Sequence, residues 1–307
     1  MIKRHQPAVV YVYALLAMLF WGFSFVWTEM VLKYLNPVSI IFFRLLVSSL
    51  LLYGFVFFFK RQQKIKPQDF KWFLLSAFFE PFLYFIGENY GVKYSTATVS
   101  SVMIALIPVL TPLAGFMFLK EKIRFLNVLG IIVSFTGVML IVMGKGLNLD
   151  ANPNGLLFLG AAVIAGLFSS VLMGRLARSY SSLTIITYQN IIGAVYFLPV
   201  FLIMETDEIQ GVNFTLELIL PMIMLAVFAS SLAFIFYVNA IHGLGVSRTN
   251  IFTNLIPIIT AVVSYFFLGE QFTAQKILGM AVVIAGVFLA QFKRKGLRRL
   301  LRYWWRG

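Results

Sequence analysis

The 307-residue chain contains no cysteine and only two histidines. The absence of cysteine excludes disulfide bonds, thiolate nucleophiles and cysteine-ligated metal centres. The sequence also lacks a Walker A loop, an HExxH motif and a GxSxG motif, and its three aspartates, Asp69, Asp150 and Asp207, all fall between the apolar segments. These absences disfavour an enzyme, and we expect neither a metal nor a cofactor.

Charge is scarce as well. Charged residues make up 12% of the chain and hydrophobic residues 61%, whereas about a quarter of the residues of a soluble domain are charged. Apolar windows of about 20 residues recur along the chain, and each is long enough to cross the hydrocarbon core as a helix. The sequence therefore predicts an all-α membrane protein with ten transmembrane helices, near residues 11–34, 37–59, 70–93, 95–119, 125–143, 155–177, 182–204, 216–242, 246–268 and 273–292.

The basic residues are unevenly distributed. With ten spans, 20 of the 25 Lys and Arg residues lie on the side that holds both termini, four lie on the other side, and Arg44 lies within a span. Because basic loops mark the cytoplasmic side, both termini are predicted to be cytoplasmic, and we expect the membrane to be the bacterial inner membrane. This distribution accounts for the net charge of +14 without any nucleic-acid partner. The basic tail, residues 293–307, is predicted to lie on anionic lipid.

The second half of the chain repeats the first at a spacing of 149 residues. A spacing this long indicates a duplicated domain rather than a solenoid. Since each copy contains five predicted helices, the second must enter the membrane from the opposite side, as in the inverted repeats of many secondary transporters. The residues that fall into register without a gap are Pro108/Pro257, Thr111/Thr260, Glu121/Glu270, Gly130/Gly279 and Gly137/Gly286.

The duplicated motif resembles the repeat signature of EamA-type transporters, which belong to the drug/metabolite transporter superfamily. The resemblance implies ten helices in two inverted five-helix repeats, residues 11–143 and 155–292, around a central cavity, and export of small metabolites, often amino acids. Lys120 stands where the family usually has glycine, whereas the second copy keeps Gly269 at this tight-turn position. The residues that carry the resemblance are Ala105-Leu-Ile-Pro108, Leu119-Lys-Glu121, Gly130, Gly137 and Phe267-Leu-Gly-Glu270, together with Phe20-Trp-Gly-Phe-Ser24 and Arg44.

The third predicted span carries a polar stripe. Ser76, Glu80, Tyr84 and Glu88 are four residues apart, so they lie on one helix face, which must face a cavity or another helix. Glu80 is predicted near mid-bilayer, where a charge costs about 2.5–3.5 kcal/mol on insertion scales. It could be a protonatable coupling site or a counter-charge for a substrate ammonium. The structural alternative is a permanently protonated side chain that bonds the backbone opened by Pro81.

Three further charged residues are predicted at one depth. Arg44, Glu29 and Glu88 each lie a few residues inside the outer end of their span, at about 10 Å below the boundary. A buried ion pair or triad would explain their tolerance. Such a group could be a static strut, an outer gate or a carboxylate-binding arginine. The corresponding residue of the second repeat is Gln189, so the charge is not duplicated.

Other polar residues also fall on helix faces. Ser247, Asn250 and Asn254 share one face of the ninth span, where the amides could bind a substrate or could bond neighbouring helices. Trp21 and Ser24 share a face of the first span, as cavity wall or as core. Pro108 and Pro257 interrupt spans four and nine at matching positions, which indicates a binding region or plain kinks. Glu121 and Glu270 are interpreted as structural.

Taken together, these patterns and what the family resemblance implies predict a secondary transporter that exports small metabolites, most of all amino acids or related amphipathic compounds, by alternating access. Trp21, Ser24, Glu80, Tyr84, Asn250 and Asn254 are the predicted substrate-binding residues. Glu29, Arg44, Glu88, Pro108 and Pro257 are predicted to gate or couple transport. Protons are the candidate coupling ion, and the sequence leaves open whether transport is proton-coupled or facilitated diffusion. An exporter of cationic drugs is the alternative, and a membrane enzyme or a channel is a weaker one.

Overall fold

The computed structural model describes residues 7–61, 63–110, 125–142 and 152–291. Within these ranges the chain is helical and contains no strand. Thr111, Glu121, Lys120 and the basic tail lie outside the described residues. The principal helices are α1 (Pro7–Val31), α2 (Pro37–Phe58), α3 (Pro67–Tyr94), α4 (Ala97–Leu110), α5 (Phe125–Val142), α6 (Pro153–Leu176), α7 (Ser182–Met204), α8 (Leu216–Leu244), α9 (Phe252–Leu268) and α10 (Ala274–Gln291).

Six helices in the described part of the chain are long and apolar enough to cross a membrane, namely α1, α2, α3, α6, α7 and α8. The described portions of α4, α5, α9 and α10 are shorter and also apolar. Large apolar side chains cover the outside of the protein, as Phe58 and Ile203 do with 80% and 84% of their surface exposed. Such a surface suits lipid rather than water. The all-helical membrane fold is thereby confirmed, and the count of ten spans stays a prediction.

Helices α3 and α8 each change winding near the middle. The segments Phe78–Leu83 in α3 and Leu225–Ala233 in α8 are π-helical. In α3, Glu80 leaves helical geometry altogether, with φ −148° and ψ 118°, directly before Pro81. π-helical turns leave backbone groups for other partners and are frequent at functional sites. The two segments fall at matching places in the two halves of the sequence.

Helices α5 and α10 pack closely against each other through the duplicated glycines. A Cβ on Gly137 would lie 2.6 Å from the Val283 nitrogen and 2.8 Å from the Gly279 oxygen. Likewise, a Cβ on Gly286 would lie 2.8 Å from the Gly130 oxygen. Only glycine permits such an approach, which is how small residues let membrane helices associate. The contacts run in opposite directions along the two helices, so the pair is antiparallel.

The contacts between α5 and α10 have twofold symmetry. A Cβ on Gly130 would meet Ala290, and a Cβ on Gly279, its equivalent 149 residues later, would meet Ile141, the equivalent of Ala290. Ser134 donates its hydroxyl to the carbonyl oxygen of Val283, 3.3 Å away and 149 residues later. In an interface of this type residue i contacts j′ and residue j contacts i′. The local axis therefore passes beside Ser134.

The carboxylate of Glu205, the residue that follows α7, caps the N-terminus of α2. Glu205 is 4% exposed and accepts hydrogen bonds from the backbone nitrogens of Val38, at 3.2 Å, and Ser39, at 2.6 Å. These nitrogens have no partner within the helix, and the Asn36 side chain does not cap them. Negative charge is also favourable at a helix N-terminus. This contact joins the two halves of the chain, and the sequence analysis did not single it out.

Replacing Glu205 by alanine should lower the free energy of unfolding by about 1–2 kcal/mol, since two buried nitrogens lose their acceptor. Thermal unfolding in detergent micelles measures the change. Glu205→Gln keeps one acceptor oxygen and should lose less than Glu205→Ala. Equal stability of the wild type and Glu205→Ala would contradict the assignment.

Candidate functional site

A cavity lies between the two halves of the chain. It has walls from α1, α2, α3, α4, α6, α8 and α9, and encloses about 740 Å³, including the part open to the outside. The sequence-predicted residues that line it are Trp21, Ser24, Arg44, Glu80, Tyr84, Glu88, Pro108 and Asn250.

Glu80 occupies the break in α3 and is half-buried. Its carboxylate accepts a hydrogen bond from the Ser169 hydroxyl of α6. The backbone carbonyl of Glu80 accepts a hydrogen bond from Gln189 Nε2 at 2.6 Å, and the same nitrogen lies 3.2 Å from Ser76 Oγ. The backbone opening is thus bonded by Gln189 of α7, whereas the structural alternative assigned this bond to the Glu80 side chain. The carboxylate therefore remains available to the cavity.

Arg44 is almost entirely buried, at 2% exposure. Its Nε donates to Ser230 Oγ at 2.8 Å, and its guanidinium lies 4.1 Å from the ring centroid of Phe85. Its Nη1 lies 4.0 Å from Glu88 Oε2 and has no hydrogen-bond partner among the described residues. Glu88 Oε1 in turn accepts from the Tyr84 hydroxyl at 3.4 Å. Arg44 and Glu88 form a loose ion pair at the cavity wall.

Glu29 does not join this pair, which corrects the predicted triad. Its carboxylate accepts a hydrogen bond from the Ala97 backbone nitrogen at 2.6 Å, at the first turn of α4. Glu270 binds the same turn, accepting from Thr96 Oγ1 at 2.9 Å and Thr98 Oγ1 at 2.6 Å. Counting residues along α1 predicts a depth for Glu29 but not its direction around the helix, and that direction brings it to Ala97 instead of Arg44. The structural interpretation of Glu270 is supported by these bonds, and a gating role for Glu29 stays a prediction.

Aromatic side chains form another wall of the cavity. The Trp21 ring lies 4.9 Å from the ring centroids of both Phe234 and Tyr237, and the Tyr237 hydroxyl donates to Asn250 Oδ1 at 2.5 Å. Asn250 Nδ2 has no partner among the described residues. The Ser24 hydroxyl donates to the Trp21 carbonyl at 2.7 Å, so Ser24 lines the cavity with its hydroxyl already engaged. This wall suits an apolar group with a polar contact at its end.

Two of the residues predicted from span nine lie behind the cavity rather than on it. Asn254 is 2% exposed, and neither of its polar side-chain atoms has a hydrogen-bond partner among the described residues. Pro257 is buried where α9 passes from a 3₁₀ turn, Phe252–Leu255, into its regular part. Neither residue lines the cavity, so the binding role of Asn254 and the gating or coupling role of Pro257 stay predictions. The Ser247 side chain lies outside the described residues.

The cavity also contains residues that no sequence pattern marks as ligand contacts. Ser169 and Ser170 lie near the centre of α6, where serines more often indicate close helix packing, and the bond from Ser169 to Glu80 could not be predicted from α6 alone. Tyr237 and Thr253 were not singled out, because no polar periodicity marks them. Gln189 does not line the cavity but bonds the Glu80 carbonyl beside it, and the sequence identified it only as the counterpart of Arg44.

The comparison with known families decides the class of protein. The sequence model of the EamA-like transporter family matches residues 8–143 and again residues 154–292. The chain belongs to the EamA-like transporter family. The resemblance drawn from the repeated motif is thereby confirmed.

Several members of the EamA-like transporter family are similar to the chain over most of its length. "Uncharacterized transporter YetK" of Bacillus subtilis (strain 168) is 27% identical over 259 residues, which cover 82% of this chain and 77% of the relative. An "Uncharacterized transporter" of Archaeoglobus fulgidus is 25% identical over 279 residues, 91% of this chain and 97% of the relative. A "Probable terminal-alkyne amino-acid exporter" of Streptantibioticus cattleyicolor is 28% identical over 216 residues, 69% of each chain.

A solved crystal structure shares the fold. It superposes on this EamA-like chain with a TM-score of 0.70, covering 96% of this chain and 99% of the other at 14% identity. At that identity the likeness establishes the architecture and nothing about the substrate.

Proposed function

We propose that the protein exports small amphipathic metabolites, with amino acids as the first class, by alternating access of two inverted five-helix repeats. The observation that carries the proposal is the cavity itself. It places a carboxylate at a helix break, an arginine–glutamate pair and an aromatic wall around one space between the repeats. The printed name of the Streptantibioticus relative adds support for amino acids. The membrane would be the bacterial inner membrane, with both termini in the cytoplasm.

The inverted arrangement is supported by contacts that recur in both halves. The α5–α10 pair has twofold symmetry around Ser134, and such an axis reverses the direction of every helix it relates. In addition, Arg44 of α2 bonds Ser230 at the π-helical segment of α8, while Gln189 of α7 bonds Glu80 at that of α3. The equivalent helices α2 and α7 thus each form a hydrogen bond to the π-helical segment of the opposite half. Repeats related in this way can rock around a central site.

The two halves are joined at opposite ends by contacts that alternating access would break in turn. At one end Glu270 accepts from Thr96 and Thr98 at the start of α4. At the other end Gln63 donates to the Ser179 carbonyl at 3.1 Å and accepts from the Ser181 nitrogen at 3.0 Å. These polar contacts are individually modest in water, so their exchange is compatible with the small free-energy differences between conformers.

Transport through this cavity should depend on Glu80. In liposomes loaded with a mixture of amino acids, the wild type should release a subset selectively, and Glu80→Gln should lower the release rate about tenfold or more, because one charged contact is lost. Mass spectrometry of the external solution, with and without a pH gradient, measures release and its coupling to protons. Glu217→Gln, which alters an exposed carboxylate bonded to Tyr34, is the matched control and should transport normally. Unchanged release by Glu80→Gln would exclude Glu80 as binding or coupling residue.

An exporter of cationic drugs remains the second candidate because the cavity holds two carboxylates against one arginine. An apolar cation could be held by Glu80 and the Trp21 ring through charge and cation–π contact. The same liposomes loaded with ethidium separate the two candidates. Release of ethidium without any amino acid would favour the drug exporter.

A further inference from the structure

Arg44 is held less tightly than a buried guanidinium normally is. Charge-assisted N–H···O bonds are about 2.7–2.9 Å long, yet Nη1 of Arg44 lies 4.0 Å from Glu88 and has no hydrogen-bond partner among the described residues. Arg44 nonetheless lines the cavity. A buried donor in this state costs free energy that a suitable acceptor would recover. Nη1 of Arg44 is therefore available to bind an anionic group of the substrate.

We propose that Arg44 binds the carboxylate of an apolar α-amino acid and that Glu80 binds its ammonium group. Glu88 forms an ion pair with Arg44 only while the cavity is empty. The inference rests on the proposed function and specifies its substrate class. A planar carboxylate can approach the guanidinium in a bidentate geometry that the Glu88 side chain does not reach here. The substrate carboxylate thus replaces Glu88 rather than adding to the pair.

The neighbourhood of this subsite fits the rest of an apolar amino acid. The Phe85 ring packs against the Arg44 guanidinium, with its centroid 4.1 Å from Cζ. Trp21, Phe234 and Tyr237 form the aromatic wall of the same cavity, where an apolar side chain can be buried. Glu80 and Arg44 line this same cavity, so a zwitterion bound there faces both a carboxylate and a guanidinium.

The charge balance of the cavity also favours this exchange. Two carboxylates face one guanidinium, and an unbalanced charge in the membrane interior is costly. In the empty cavity one proton balances the excess and sits on Glu80, because Arg44 already balances Glu88. When the amino acid binds, its ammonium balances Glu80 and its carboxylate takes Arg44, so the proton ends on Glu88. Zwitterion binding then needs no net proton uptake or release.

The test is calorimetric titration of the purified protein with four matched probes: L-phenylalanine, its methyl ester, N-acetyl-L-phenylalanine and phenethylamine. L-leucine extends the zwitterion class. The wild type should bind phenylalanine at least about tenfold more tightly than the three blocked analogues, because each of them lacks one charged contact. Titration in buffers of different ionisation enthalpy should show no net proton change for phenylalanine.

Two variants distinguish substrate exchange from a static strut. Glu88→Gln removes the competitor for Arg44, so it should bind phenylalanine several-fold more tightly than the wild type. Arg44→Gln combined with Glu88→Gln removes the pair without leaving a charge and should bind phenylalanine and its methyl ester equally. A strut would give weaker binding in Glu88→Gln and unchanged selectivity in the double variant.

Equal affinity of the wild type for phenylalanine and its methyl ester, or no binding of phenylalanine and leucine, would overturn the inference. Release of amines or esters from liposomes in that case leaves the proposed exporter intact and rejects only the zwitterion site. Carboxylate-dependent binding without any release rejects the exporter and keeps the site.

Discussion

Arg44→Ala should lower the free energy of unfolding by about 3–5 kcal/mol, which is the cost of breaking a buried ion pair from one side. The loss has a specific origin. Glu88 is 7% exposed and would keep its carboxylate in the membrane interior with only the long hydrogen bond from Tyr84. Ser230 would lose the donor at 2.8 Å, and Phe85 would lose the guanidinium above its ring.

Thermal unfolding in detergent micelles, followed by circular dichroism, measures the effect. Arg44→Gln combined with Glu88→Gln removes both charges and keeps hydrogen-bonding side chains of similar length. This double variant should recover most of the lost stability, since a neutral pair leaves no orphan charge. If the single and double variants were equally unstable, packing around Arg44 rather than charge would be responsible.

The polar face of α3 shows what a sequence can predict in a membrane protein. Glu80, Tyr84 and Glu88 are separated by four residues, and lipid cannot satisfy such a stripe, so the side of the helix is determined before any packing is known. All three residues line the cavity. Because the hydrocarbon core contains no water, polar side chains within it must face a cavity or another helix.

The neighbours of that face could not be predicted in the same way. Counting residues gives the depth of Glu29 and Arg44 but not the direction in which each side chain points around its helix. Glu29 therefore proved to bond Ala97 instead of Arg44. The roles of Gln189 and Ser169 could not be predicted for a related reason. Gln189 bonds the backbone of Glu80 and Ser169 bonds its side chain, at a break in α3. No local sequence pattern in α6 or α7 shows where another helix is irregular.

The repeat of 149 residues predicted equivalent positions, but not which of them touch. Gly130, Gly137, Gly279 and Gly286 were recognised only as residues in register. In the structure they cross over, so that Gly137 faces Gly279 and Gly130 faces Gly286. Duplication followed by antiparallel pairing places each glycine opposite the counterpart of the other, and this geometry depends on tertiary packing that the register alone does not contain.

Gly137→Leu should therefore separate α5 from α10 and lower the free energy of unfolding by about 3 kcal/mol or more, at the upper end of overpacking effects. The added Cβ alone would meet the Val283 nitrogen at 2.6 Å and the Gly279 oxygen at 2.8 Å. Both are backbone atoms, which cannot rotate away as a side chain can. Relief would require the whole helix pair to move apart and lose its close contact. Thermal unfolding in detergent micelles measures the loss of stability.

Gly160 of α6 provides the matched control, because a Cβ built there meets no atom within 4 Å. Gly160→Leu adds the same apolar side chain to another helix at an open position, and leucine also favours helix over glycine by close to 1 kcal/mol. It should leave stability unchanged or raise it slightly.

The twofold symmetry gives a second check. Gly279→Leu adds a side chain at the same contact from the other helix, so it should destabilise the protein about as much as Gly137→Leu. The double variant should lose less free energy of unfolding than the sum of the two single variants, because one separation of the helices relieves both clashes. Additive losses would mean that the two glycines act at independent contacts and that the local axis beside Ser134 has no energetic consequence.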